Sequence, residues 1–75
     1  MPRTNVSLEK INFLKEVLDQ KGIKQNWLAQ QLNVSGNTVN NWCNNKAQPS
    51  LFVLKQIAGL LSIEITDLLK PVQKR

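Results

Sequence analysis

The sequence predicts an all-α domain built from five helices. Apolar side chains recur every three or four residues over residues 7–69, which is the spacing that places them on one face of a helix. Helix caps and turn residues interrupt this pattern at short intervals, and no stretch alternates apolar and polar residues as a half-buried strand does. We therefore expect one domain over residues 7–69, with a flexible arm at residues 1–6 and a basic, disordered tail at residues 70–75.

Length and composition argue against several classes of protein. A chain of 75 residues buries only about 60% of its unfolded surface, so we expect no deep active-site cleft and no enzymatic activity. There is no His and only one Cys, Cys43, so we expect neither a metal site nor another cofactor. A single unpaired cysteine, and the lack of any apolar run near the ~20 residues of a membrane span, predict a soluble, cytoplasmic protein.

Most of the net positive charge lies in the middle of the chain, where no acidic residue offsets the lysines. The formal net charge is +5, and all the acidic residues lie outside residues 20–63. Within that segment the only charged residues are Lys21, Lys24, Lys46 and Lys55. A purely cationic segment favours a polyanionic partner and attracts it over a long range. A basic surface that only aids solubility is the alternative.

Residues 25–44 have the spacing of a helix-turn-helix. Asn33 can take the left-handed conformation that ends one helix, and Ser35 can cap the next helix shortly afterwards. Such a pair presents one short helix to the major groove of DNA, and a generic helical hairpin with a short turn is the alternative. The expected core of the pair consists of six apolar or small residues: Leu28, Ala29, Leu32, Val34, Val39 and Trp42.

Capping signals bound the helices on either side. The first helix should begin at its cap, Ser7, and end before Gly22, and the fourth should follow its cap, Ser50. A short last helix is expected at about residues 65–69, before Pro71. The expected inner faces are Leu8, Ile11, Leu14, Val17 and Leu18 in the first helix and Leu51, Leu54, Ile57, Ala58 and Leu61 in the fourth.

These residues resemble the lambda repressor and Cro-like (Xre-type) helix-turn-helix family. GIKQNWLAQQLNVS, residues 22–35, is similar to the family's helix-two stretch, and NTVNNWCNNKAQPS, residues 37–50, is similar to its recognition helix and following loop. LFVLKQIAGLLSIEITDLL, residues 51–69, is similar to its last two helices, so the resemblance covers about residues 8–69. It implies a compact five-helix, lambda-repressor-like DNA-binding domain, usually homodimeric on a two-fold operator, that regulates transcription.

The sequence departs from the family pattern at three positions. Family members often pair an arginine late in helix one with a glutamate late in helix three, and the matching residues here are Leu18 and Cys43. Both partners have become apolar, which avoids a lone buried charge. A reactive or metal-bound Cys43 is the alternative. Asn33 stands where glycine is common, and asparagine tolerates the left-handed conformation.

The outward face near the start of helix three is where DNA bases should be read. An Asn side chain donates and accepts at once, which matches the N6 and N7 atoms of adenine, and this helix has no Arg or Lys to read guanine. Gly36 has no side chain and would instead permit a close approach. A poorly helical, solvated face is the alternative. The candidate base-reading residues are Gly36, Asn37, Asn40 and Asn41.

A second group of residues is expected to hold the phosphate backbone. Gln25 resembles the family glutamine that contacts the backbone at the start of helix two, where free N–H groups also suit an anion. The residues that flank this surface and can add charge or hydrogen bonds are Lys24, Asn26, Ser35, Thr38, Lys46 and Gln48.

The leading interpretation is a sequence-specific regulator of transcription that binds double-stranded DNA, expected to be a repressor. A homodimer is expected because one recognition helix reads few bases, and its interface should include Ile63, Ile65 and Leu68. The first alternative is an antitoxin that binds a toxin protein and also represses its own operator. The second is a helical protein-interaction module that has lost DNA binding.

Overall fold

The computed structural model describes residues 10–71, which fold into four α-helices and one 3₁₀ helix with no strand among them. In chain order these are α1 (Leu14–Lys21), α2 (Gln25–Leu32), α3 (Gly36–Cys43), α4 (Leu51–Leu61) and the 3₁₀ helix (Ile65–Leu68). The all-α class is therefore confirmed. The count of five α-helices is not, because the last segment is a short 3₁₀ helix. None of these helices is long and apolar enough to cross a bilayer.

The first helix is shorter than the sequence predicted. It begins at Leu14, and Ile11, expected on its inner face, is 49% exposed. The N–H groups of Ile11 and Asn12 donate to the side-chain oxygen of Asn45, at 2.8 and 2.9 Å. These bonds keep the segment before Leu14 outside the helix, because an N–H group committed to Asn45 is not available for the helical ladder. Ser7, Leu8, the expected arm at residues 1–6 and residues 72–75 of the tail lie outside the described residues.

Left-handed residues end three of the α-helices. They are Gly22 after α1 (φ 69°), Asn33 after α2 (φ 59°) and Ser62 after α4 (φ 58°). At each position the N–H group bonds back to the last turn of the helix, as from Gly22 to the Asp19 carbonyl at 3.2 Å. The left-handed conformations expected for Gly22 and Asn33 are therefore confirmed.

Serine hydroxyl groups cap two of the α-helices, α3 and α4. Ser35 Oγ accepts the N–H of Thr38 at 3.0 Å, which satisfies a free donor in the first turn of α3. Ser50 Oγ accepts the N–H of Val53 at 3.1 Å in the same way at the start of α4. Both expected caps are confirmed.

One hydrophobic core joins the helices. Among the six residues expected at the centre of the helix-turn-helix, four are buried, and Leu32 and Val34 are partly buried and pack against the core. Leu51, expected on the inner face of α4, is instead 71% exposed, because it is the first residue of that helix and the buried face begins at Leu54. The buried residues of this hydrophobic core are Leu14, Val17, Leu18, Leu28, Ala29, Val39, Trp42, Cys43, Leu54, Ile57, Ala58, Leu61 and Leu68.

The surface expected to form a dimer interface is not an exposed apolar surface. Leu68 is fully buried, and Ile63 and Ile65 are partly buried against the same core. The carbonyl of Leu68 also accepts the N–H of Phe13 at 2.8 Å, which joins the 3₁₀ helix to the segment before α1. These side chains therefore stabilise the domain itself.

The adjacent residues Leu68 and Leu69 provide a matched test of this packing. Leu68→Ala should lower the free energy of unfolding by about 2–5 kcal/mol, because it leaves a cavity in the core. Leu69→Ala should cost less than about 1 kcal/mol, since Leu69 is 45% exposed. Chemical denaturation of both variants measures the difference, and equal losses would contradict the assigned core.

Candidate nucleic-acid interface

The turn between α2 and α3 places α3 across the end of α2. Only three residues separate Leu32 from Gly36, and the first of them, Asn33, is left-handed. The N–H of Val34 returns to the Ala29 carbonyl at 3.0 Å, and the Val34 side chain packs against the core. The short turn and the partly buried corner residue that packs against the core define a helix-turn-helix.

The α3 helix has a buried face and an amide-rich face. Val39, Trp42 and Cys43 are buried and fix how the helix rotates about its axis. The helical period therefore turns the asparagines outward. The candidate base-reading residues share this side: Asn37 and Asn40 are exposed, and Gly36 and Asn41 are half-buried.

The amide side chains on this face differ in their hydrogen bonding. Asn40 Nδ2 donates to Gln25 Oε1 at 3.3 Å, and Asn40 Oδ1 accepts from Asn44 Nδ2 at 3.1 Å. The side chains of Asn37 and Asn41 make no hydrogen bond within the described part of the chain. Two of the candidate readers therefore have both amide atoms available, whereas Asn40 is already engaged.

Gly36 lies where α2 and α3 approach each other. A Cβ atom at this position would lie 3.1 Å from Asn26 Oδ1, which is tighter than an ordinary contact. The missing side chain therefore makes room for α2, whereas the sequence alone indicated only that some partner could come close.

Some of the residues expected to hold phosphate are available for a contact, and others already form hydrogen bonds within the domain. Lys24 and Lys46 are exposed, and no side chain caps the N-terminus of α2, so its first N–H groups suit an anion. The hydroxyl groups of Ser35 and Thr38 lie 2.9 Å apart in a hydrogen bond with each other. Their capping role thus occupies part of their hydrogen-bonding capacity.

Three amide side chains, Asn12, Asn45 and Gln48, form a cluster that we call the amide clasp. Asn12 is 1% exposed, and its Nδ2 donates to the Trp42 carbonyl at 3.0 Å and to Gln48 Oε1 at 2.7 Å. Asn45, left-handed with φ 58°, accepts two N–H groups from the segment before α1 and donates Nδ2 to the Asn12 carbonyl at 3.1 Å. Gln48 Nε2 donates to Asn45 Oδ1 at 3.2 Å. The clasp therefore joins the end of α3 to the segment that precedes α1.

The clasp changes the interpretation of Gln48 and adds residues that sequence reasoning missed. Gln48 was predicted to contact phosphate, but both ends of its amide are engaged within the clasp. Asn12 and Asn45 were not predicted to have a role. The one signal in the sequence is the position of Asn12 beside the apolar stripe of the expected first helix, since an amide that becomes buried there must find partners.

Matched substitutions at two left-handed asparagines test the clasp. Asn45→Gly keeps the backbone conformation but removes the acceptor for Ile11 and Asn12, so it should cost about 1–3 kcal/mol of stability. Asn33→Gly makes the same change at a position whose side chain has no hydrogen bond within the described residues, and it should change stability by about 0.5 kcal/mol or less. Urea denaturation compares the two variants, and equal effects would show that the Asn45 amide contributes nothing.

Cys43 is a core residue. It is 3% exposed, and Leu18, its counterpart in the family's charged pair, is 1% exposed. Burial raises the pKa of the Cys43 thiol to about 11; the negative charge of Asp19 adds to the rise, and Lys15 opposes it. Such a thiol stays protonated near neutral pH and is a poor nucleophile or metal ligand. No group of three or more His, Cys, Asp or Glu side chains within residues 10–71 is placed to hold a metal ion.

The raised pKa of Cys43 predicts a loss of stability at alkaline pH. The unfolded chain releases the thiol proton near the ordinary pKa of 9.0, whereas the folded chain keeps it to about 11. The folded state therefore binds more protons in this interval, and its stability falls as the pH rises from about 9 to about 11. Urea denaturation across this range should show a shallower fall for Cys43→Ala, which lacks the thiol, and identical slopes would contradict the prediction.

Paired and unpaired lysines lie in different parts of the described chain. Three lysines are paired with acidic residues: Lys10 with Glu16, Lys15 with Asp19 at 3.1 Å, and Lys70 with Asp67 at 3.5 Å. All three pairs lie outside the segment from Lys21 to Lys55, whose lysines form no salt bridge within the described chain. The positive charge beside α3 is therefore uncompensated.

A helix-turn-helix with an outward amide face and unpaired lysines beside it defines a DNA-binding domain. A family model described as the Cro/C1-type helix-turn-helix DNA-binding domain matches residues 13–74. The chain belongs to this family, as the sequence resemblance predicted.

One solved structure shows the same similarity. It is the crystal structure of a candidate DNA-binding protein from Bacteroides fragilis, which is 42% identical in sequence and has a TM-score of 0.78. The match covers 80% of the present chain and 97% of the other. No curated protein is significantly similar to the chain.

Proposed function

We propose that this protein is a sequence-specific repressor of transcription that binds double-stranded DNA with α3 in the major groove. The observation that carries the proposal is the availability of two adjacent amides on α3. Asn37 and Asn41 lie four residues apart on the same side of the helix, and neither side chain is engaged within the described chain. The proposed DNA-binding unit comprises residues 7–69, and no catalytic activity is part of the proposal.

The free amides suit adenine. One Asn side chain can donate from Nδ2 to N7 of an adenine and accept at Oδ1 from the N6 amino group of the same base. Both atoms must be available at once, and this holds for Asn37 and Asn41. Gly36 has no side chain, so the backbone at the start of α3 can come close to the groove.

The backbone contacts come from residues around the base-reading pair. The N–H of Lys46 bonds to the Asn41 carbonyl at 2.9 Å, so the loop that carries the Lys46 charge begins directly beside a base-reading residue. Lys24 precedes the uncapped start of α2, where the Gln25 side chain and free N–H groups suit a phosphate. Positive charge and hydrogen-bond donors therefore flank Asn37 and Asn41 from both helices.

A homodimer on a two-fold operator is part of the proposal. One α3 helix reads only a few base pairs, and two copies related by a two-fold axis double the recognised sequence. We assign the dimer interface to a surface other than Ile63, Ile65 and Leu68, because these side chains pack within the domain.

Selection of bound sequences from a random pool of duplex DNA tests the function. We expect enrichment of two inverted half-sites about 10 base pairs apart, centre to centre, with adenine at contacted positions. Absence of any enriched sequence would contradict sequence-specific binding. An enriched single half-site without symmetry would contradict the dimer.

Titrations against the selected operator and a scrambled duplex separate base reading from backbone contact. Asn37→Ala or Asn41→Ala should cost about 1–3 kcal/mol on the operator and relax the preference at one or two base pairs. Lys46→Ala should weaken both duplexes by a similar factor and lower the salt slope by about one. Lys55→Ala removes the same charge from α4 and is the matched control. Operator-specific loss in Lys46→Ala, with equal loss on both duplexes in Asn41→Ala, would reverse the assigned roles.

A further inference from the structure

A row of amide side chains connects α2 to α3. Asn44 Nδ2 donates to Asn40 Oδ1, and Asn40 Nδ2 donates to Gln25 Oε1. Among the described residues, the bond from Asn40 to Gln25 is the one side-chain hydrogen bond that joins these two helices. We call the three residues Gln25, Asn40 and Asn44 the amide relay.

The outward face of α3 consists of two stripes with different surroundings. Gly36, Asn40 and Asn44 are spaced by four residues and form one stripe. Gly36 lies against Asn26, and Asn40 bonds to Gln25, so this stripe faces the first turn of α2. Asn37 and Asn41 form the neighbouring stripe, which makes no side-chain hydrogen bond to α2.

The geometry points to Asn40 as a positioning residue and not a reader of bases. Reading adenine with an Asn side chain requires Nδ2 and Oδ1 to face the same base, whereas in Asn40 each atom has a protein partner and the amide is held between Gln25 and Asn44. We propose that Asn40 holds Gln25 in place for contact with the DNA backbone and thereby couples that contact to the orientation of α3. This inference rests on the proposed function, because it assigns Gln25 to the phosphate backbone.

The direction of the hydrogen bonds supports this role. Gln25 uses its oxygen to accept from Asn40, which leaves its NH₂ group as the available part of the amide. Phosphate oxygens only accept hydrogen bonds, so an available donor is what a backbone contact requires. A Gln25 side chain already held by Asn40 also loses less conformational freedom on binding than a free one.

A double-mutant cycle tests the relay on DNA. Asn40→Ala should weaken binding to the selected operator and to a scrambled duplex by the same factor, about two- to tenfold, as expected for one hydrogen bond. Because Asn40 acts through Gln25, this loss should disappear in the Gln25→Ala background. Asn37→Ala is the matched control, and its operator-specific loss should persist in that background.

A measurement on the free protein keeps the test independent of DNA binding. The NMR signals of the Gln25 side-chain NH₂ should shift in Asn40→Ala and stay unchanged in Asn37→Ala. Thermal denaturation should show that Asn40→Ala folds, because Asn40 is exposed.

Two results would overturn the inference about Asn40. The first is an Asn40→Ala variant that relaxes base preference and keeps its full effect in the Gln25→Ala background, which would make Asn40 a base reader. The second is an unchanged Gln25 signal in the free variant. Failure of the native protein to bind any duplex would instead overturn the proposed function, while the NMR signals would still report whether the relay exists.

Discussion

The hydrogen bonds of Asn45 are the constraint on which the arrangement of this domain depends. One side chain, on a left-handed residue just after α3, accepts two N–H groups from the segment before α1 and donates to a carbonyl of the same segment. It thereby sets where α1 begins and how the loop after α3 leaves the helix. Asn12 extends the same contact into the core through the Trp42 carbonyl. Glycine would satisfy the backbone at this position but would leave those N–H groups without their partner.

The two sides of α3 differ in what they contact: one packs in the core, and the other carries the asparagines. Val39, Trp42 and Cys43 fill the core and set the rotation of the helix, and that rotation presents the asparagines outward. Asparagine is a poor helix former, so the helix depends on its Ser35 cap and on its buried face to remain ordered. A weakly helical sequence is thus held rigid by its surroundings, which leaves its outer surface available for hydrogen bonding.

Local signals in the sequence predicted the features that depend on neighbouring residues. The turn at Asn33 and the caps at Ser35 and Ser50 follow from residue types within a few positions. The start of α1 could not be predicted, because it depends on Asn45, more than thirty residues away. The engagement of Asn40 likewise depends on Gln25, which lies on another helix. Periodicity identifies the outward face of α3, but only packing shows which of its amides are already bonded.

The distribution of charge has a consequence for how such a domain would search a genome. In the described interface, Lys24 and Lys46 flank a recognition helix that itself carries no charge. Few counterions are then displaced by these residues on an arbitrary stretch of duplex, so their contribution to non-specific adhesion is small. Competing sites outnumber an operator by many orders of magnitude, so a DNA-binding helix gains from contacts that do not add affinity for every duplex. Because the amides of α3 are neutral, they would add hydrogen bonds to an operator without adding affinity for the phosphate backbone of other sequences.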